Sequence, residues 1–183
     1  TLNFEITPLK WIDPVPKETI QEYTARLAEQ IDTKEPYTII GISFGGMIAL
    51  ELSRILNPEK IVLISSATSK ADIPLVFRIL GKAGLLNLIP NFLMKPPEFV
   101  VNYFFGVTEP KFKKKLKQVL ADTDINFLRW ASNQITRWDN YKRPTNMLRI
   151  HGSSDRLLNF NKEEEVTVIS NGGHFMIMDR ADE

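Results

Sequence analysis

The 183-residue sequence has no cysteine and only two histidines. The first absence excludes disulfides and thiol catalysis. The second, with no paired-histidine spacing, leaves too few donors for a zinc-type site, so no metal is expected. An excess of one charge is also missing. The 23 Lys and Arg against 22 Asp and Glu leave a net charge of +1, which removes the electrostatic case for nucleic acid as a partner. No apolar run approaches the ~20 residues of a membrane-spanning helix, so no membrane span is expected. Internal repeats and low-complexity tracts are absent. Apolar residues at 43% suit a folded globular domain rather than a disordered chain. The first residue is Thr1 rather than methionine, which we read as a start inside a longer native chain. A removed leader therefore cannot be judged, and the expected compartment is cytoplasmic.

The most informative stretch present is Gly41-Ile42-Ser43-Phe44-Gly45. Tyr37 to Ile40 before it reads as a buried strand, and Met47 to Leu56 after it as a helix. A Gly-x-Ser-x-Gly at such a junction is the nucleophile-elbow arrangement. The turn is sharp enough that side chains at Gly41 and Gly45 are expected to collide, and glycine removes them. The serine hydroxyl then stands above the sheet at a helix N-terminus, where developing negative charge is favoured.

A serine hydroxyl is a poor nucleophile near neutral pH and needs a base, which in turn needs an orienting acid. The base search is short. His174 lies on the glycine loop Asn171-Gly172-Gly173-His174, after the strand pattern Glu165 to Ile169. His151 ends another strand pattern, Met147 to Ile150, and stands too near Asp155 in sequence to be its obvious partner. His174 is the expected base, and His151 a packed histidine supporting its loop. For the acid, Asp155 follows a strand and a glycine turn in His151-Gly152-Ser153-Ser154-Asp155. Asp72 is the rival, seven residues beyond the strand Lys60 to Ser65, and Asp155 is preferred.

Strand and helix patterns alternate along the chain. A short strand is expected at Asn3 to Thr7 and a helix at Lys17 to Ile31, with Ile20, Tyr23, Leu27 and Ile31 on one face. Residues 69–142 break the alternation with helical patterns only: Pro74 to Leu80, Pro96 to Phe105, Pro110 to Leu120, and Asp124 to Asp139. The run Lys111, Lys113, Lys114, Lys115, Lys117 reads as a solvated basic helix face, with an acidic carrier or anionic ligand as the alternative.

The segments GISFGG around Ser43, HGSSD ending at Asp155 and NGGHF around His174, in that order, resemble the α/β-hydrolase fold family over most of the chain. The resemblance implies a mostly parallel sheet flanked by helices. Residues 1–68 and 143–183 would form its core, and residues 69–142 a helical cap lined in part by apolar side chains. It implies Ser43 as nucleophile, His174 as general base, Asp155 as its orienter, and the Phe44 N–H as one oxyanion donor beside Gly41 and Gly45. It also implies a central strand between the Asn3–Thr7 strand and the elbow strand, whose loop donates the second N–H. Nothing here supplies that strand. N-terminal strands are therefore expected upstream of Thr1, or from another chain, and an apolar sheet face is expected to lie open. The expected activity is a serine hydrolase acting on a small-molecule ester or thioester through an acyl-enzyme, with no cofactor. The alternatives are a non-catalytic member that binds a ligand or partner, and the same three residues used for acyl transfer or C–C cleavage.

Overall fold

The computed structural model describes residues 5–140, 143–160 and 165–182. Residues 3 and 4 of the expected first strand lie outside them, and Glu5 to Thr7 form no strand. Among the described residues the first regular element is helix α1, Ile20–Ala28. It begins later than periodicity suggests because Lys17 takes a left-handed φ of 67°, which a helix cannot include. Thr19 and Glu22 then close a reciprocal capping box, each side chain accepting from the other's N–H. Ile20, Tyr23 and Leu27 turn inward, as the spacing requires.

Strand β1 (Thr38–Ile42), helix α2 (Phe44–Leu52) and strand β2 (Lys60–Ile64) follow. Strands β3 (Met147–Gly152) and β4 (Thr167–Ile169) complete a parallel sheet in the order β1-β2-β3-β4. The register pairs Ile40 with Val62 and Val62 with Leu148. Side-chain alternation along the strands then separates two faces. One face carries Ile39, Ile61, Leu63, Arg149 and His151, all buried, and α2 packs over it. The other carries Ile40 and Ile42, each 45% exposed, and Leu148. Among the described residues nothing pairs with the outer side of β1. That edge is where the sequence reading expects a further strand.

Between β2 and β3 every regular element among the described residues is helical. These are α3 (Leu75–Lys82), α4 (Asn91–Met94), α5 (Glu98–Phe105), α6 (Pro110–Asp122) and α7 (Ile125–Arg137), with short 3₁₀ turns at Lys70–Asp72 and Leu85–Leu88. Pro74, Pro90 and Pro97 stand at N-cap positions and Pro110 inside the first turn. Proline suits those places because the leading N–H groups lack intrahelical acceptors in any case. The lysine-rich face of α6 is solvated. Leu116 turns inward, while Lys111 and Lys117 reach Glu109 and Glu98 at 3.5 and 3.2 Å. A four-residue helix, α8 (Met176–Asp179), ends the described chain.

Both ends of this helical segment are tied to the rest of the fold by buried polar side chains. Asp72 accepts from the Thr68 N–H and hydroxyl and pairs with Arg149 of β3 at 3.1 Å. At the far end, Asn140 donates to the Thr68 carbonyl, and the Trp138 indole donates to Glu51 of α2. Glu51 also pairs with Arg54, which in turn donates to Asn140.

Candidate active site

Three loops meet at the carboxyl ends of β1, β3 and β4, the edge where open parallel sheets hold their ligands. Ser43 sits between β1 and α2 with φ 52° and ψ −121°. A non-glycine residue in that region carries about 1–3 kcal/mol of strain, and the surroundings impose it. The Ser43 N–H donates to the Ile64 carbonyl at 3.0 Å, and the Ser43 carbonyl accepts from Ser66 Oγ at 2.7 Å and from the Gly46 N–H at 3.0 Å. Helix α2 starts immediately after Ser43, not at Met47, because the elbow turns the chain straight into the first helical residue, Phe44.

The glycines divide the steric task differently from the motif reading. A Cβ at Gly41 would lie 2.4 Å from the Gly45 carbonyl oxygen and 2.5 Å from Gly46 Cα. A Cβ at Gly46 would lie 2.3 Å from Ser66 Oγ. At Gly45 a Cβ would meet only the Trp11 ring, at 4.0 Å, an ordinary contact. Gly41 and Gly46, rather than Gly41 and Gly45, permit the turn. Gly41→Ala is therefore expected to lower folding stability by about 1–3 kcal/mol through overpacking against backbone. Gly45→Ala, inside a helix, is expected to raise it by about 0.5–1 kcal/mol. Urea unfolding of both variants checks the contrast.

His174 follows β4 on a tight loop. Asn171 adopts φ 57°, and Gly173 packs so closely on the end of α5 that a Cβ there would lie 2.7 Å from the Phe105 carbonyl. The Phe105 ring stands edge-on to the imidazole, centroids 5.3 Å apart. The loop after β3 locks against this one. Ser154 N–H donates to the Gly172 carbonyl at 2.9 Å, and Asn171 N–H to Ser153 Oγ at 2.8 Å.

These locks bring the three expected residues into one line. Ser43 Oγ lies 2.7 Å from His174 Nε2, and His174 Nδ1 lies 2.7 Å from Asp155 Oδ2. With Asp155 ionised, Nδ1–H donates to the carboxylate, which leaves Nε2 to accept from the serine hydroxyl. Asp155 Oδ1 is occupied separately, accepting from the Leu157 and Leu158 N–H groups at 2.8 and 3.1 Å. Burial pushes the Asp155 carboxyl up. The close approach of the His151 ring, with the hydrogen bond from His174 and its charge, outweighs burial and holds it well below the usual carboxylate range. The arrangement can pass a proton from alcohol to imidazole.

The rival acid, Asp72, is committed to Arg149 and to the Thr68 and Ser69 N–H groups. Two features escape the sequence reading. His151, set apart there from Asp155, places Nε2 3.2 Å from Asp155 Oδ2. Trp11, in an irregular stretch, joins Phe127 and Trp130 of α7 around the Phe44 ring, with centroids 5.7–6.3 Å from it. Only the aromatic content of these segments hinted at the second. Among the described residues no group of His, Asp and Glu could hold a metal ion, and no helix is long and apolar enough to cross a membrane.

Comparison with known proteins follows the same lines. Solved structures with this fold include a thermophilic esterase (18% identity, TM-score 0.65), aligned over 93% of this chain and 71% of that one. An esterase from Exiguobacterium antarcticum aligns at 17% identity and TM-score 0.66, over 90% of this chain and 70% of that one. The 2-hydroxy-6-oxo-6-phenylhexa-2,4-dienoate hydrolase from Rhodococcus sp. strain RHA1 aligns at 19% identity and TM-score 0.58, over 91% and 70%. At such identities the likeness concerns the fold. No curated protein matches the sequence. The model of the alpha/beta hydrolase family matches residues 8–183, and the chain belongs to that family.

Proposed function

We propose that this protein is a serine hydrolase that cleaves a small-molecule carboxylic ester or thioester through an acyl-enzyme. Ser43 Oγ attacks the carbonyl carbon while His174 Nε2 takes the hydroxyl proton. The tetrahedral oxyanion is met by the Phe44 N–H, one of the leading N–H groups of α2 that lack an intrahelical acceptor. His174 then returns the proton to the departing alcohol or thiol, and the C–O or C–S bond breaks. Water repeats the sequence on the acyl-serine and releases the acid. Asp155 holds the imidazole in the tautomer that can accept at Nε2 and stabilises the imidazolium between the two transfers. Residues 69–142 act as a cap, with the Trp11, Phe127 and Trp130 rings beside Phe44 offering an apolar wall for the substrate.

The observation that supports this reading is the continuous line of two 2.7 Å contacts from hydroxyl to imidazole to carboxylate. A positive φ at Ser43, held by three hydrogen bonds, adds to it, because strain of that kind is retained where it aims a group. A fluorophosphonate probe tests the nucleophile. Labelling is expected on the parent chain and absent from Ser43→Ala. Labelling that persists in the variant refutes the assignment.

A further inference from the structure

Asp155 Oδ2 faces two imidazoles. His174 Nδ1 reaches it at 2.7 Å, and His151 Nε2 approaches at 3.2 Å. His151 is fully buried, at 0% exposure. It sits on β3 in fixed register with Val168 of β4, its ring against Phe160 at 4.9 Å. Its contact with Oδ2 is close but off-line, and neither ring nitrogen makes a well-aligned hydrogen bond among the described residues. A polar ring buried in this way costs about 1–3 kcal/mol against an apolar ring of similar shape. Packing alone would be better served by phenylalanine, so the position calls for a chemical reason. Among the described residues, the polar group its ring approaches is the Asp155 carboxylate, at 3.2 Å.

We infer that His151 is a positioning residue, which steadies the Asp155 carboxylate and sets how strongly it holds the proton shared with His174. The inference rests on the proposed roles of Ser43, His174 and Asp155. Among the described residues, the charged and titratable groups beside the ring are Asp155 and His174 in the two loops. Arg149, two residues back on the same face of β3, is the next, and it is directed to Asp72 and the Ser66 carbonyl. An Nε2–H 3.2 Å from Oδ2 draws off part of the carboxylate's negative charge even though it is not in line with it. The pull on His174 Nδ1–H weakens accordingly, and the imidazole gives up its acquired proton more readily. Without that donor the full charge falls on His174, which then stays protonated to higher pH.

The chain has only two histidines, so the test reads out cleanly. Histidine-labelled protein is titrated by NMR, a measurement that needs no turnover. His151→Phe keeps the ring and removes the donor, and His151→Gln keeps a donor near the Nε2 position without titrating. Each variant leaves His174 as the lone imidazole. In His151→Phe the His174 midpoint is expected to rise by about half to one pH unit, and His151→Gln is expected to keep the parent midpoint. Equal midpoints in parent and His151→Phe, or equal shifts in both variants, overturn the inference. A second measurement covers a variant that does not fold. In the unaltered chain, ¹⁵N shifts must show His151 with its proton on Nε2, and a proton on Nδ1 instead overturns it. Probe labelling at Ser43 is independent of this titration. A labelled chain whose His174 ignores His151 keeps the hydrolase reading and loses this one.

Discussion

Asp155→Asn is expected to lower kcat by about 10⁴ while changing KM little. The local hydrogen bonds dictate how the amide must sit. The Leu157 and Leu158 N–H groups require an acceptor where Oδ1 now stands, so the asparagine carbonyl takes that place. Its NH₂ then occupies the position of Oδ2 and faces the imidazoles. His174 Nδ1 must accept from it, which moves the ring proton to Nε2, and an Nε2–H cannot take the Ser43 proton. The geometry survives while the tautomer is wrong. Initial rates on a short acyl ester check this, and a variant within tenfold of the parent would contradict the assigned role.

The same substitution changes the response to acid. The carboxyl titrates lower in the folded chain than its unfolded value near 3.9. Its contribution to stability is therefore complete above that value and is lost as pH falls from there toward the folded one. Denaturation curves between about pH 5 and 2 should fall less steeply for Asp155→Asn than for the parent.

Asp72→Ala is expected to cost about 3–5 kcal/mol of folding stability, the usual effect of stranding one member of a buried ion pair. Arg149 is 1% exposed and cannot turn its guanidinium to water. The Thr68 N–H and hydroxyl, both directed to Asp72, would lose their acceptor as well. The damage extends further, because Thr68 is also the anchor for Asn140 at the other end of the helical segment. Replacing Asp72 and Arg149 together by apolar residues of similar volume should recover the part of the loss due to the stranded charge, while the Thr68 N–H and hydroxyl stay without their acceptor. Urea midpoints of the single and double variants decide it, and a loss under about 1 kcal/mol for Asp72→Ala would rule out the stranded-charge account.

The order of elements from α1 through β2, the three loops and the helical interruption were legible because each rests on local chemistry, while the strand expected at Asn3 to Thr7 is not formed by Glu5 to Thr7 and α4 was not foreseen. A glycine-flanked serine between apolar runs, a glycine turn after a strand, and helices opened by proline or Asp124 are properties of neighbours in sequence. Boundaries drifted where a single dihedral decides. Lys17 shortens α1 by its left-handed turn, and Ser43 begins α2 three residues early. What stayed hidden is tertiary. Nothing near Asp72 in sequence reveals that Arg149, on a strand more than seventy residues later, claims it. The approach of His151 to Asp155 arises only because the loop after β3 doubles back and bonds the carboxylate to its own backbone. The trade between Gly45 and Gly46 depends on where Ser66 stands, and Ser66 belongs to a different strand's loop.

Strand β1 is gripped along one margin by β2, while its other margin, among the described residues, is bare and flanked by Ile40 and Ile42. Ser43 follows directly on this ribbon. Its backbone is held from the β2 side by the Ile64 carbonyl and Ser66 Oγ, and from α2 by the Gly46 N–H, while nothing among the described residues pairs on the bare side. A load laid along the bare margin would reach the hydroxyl within three residues, and could tilt or brace it without touching His174 or Asp155.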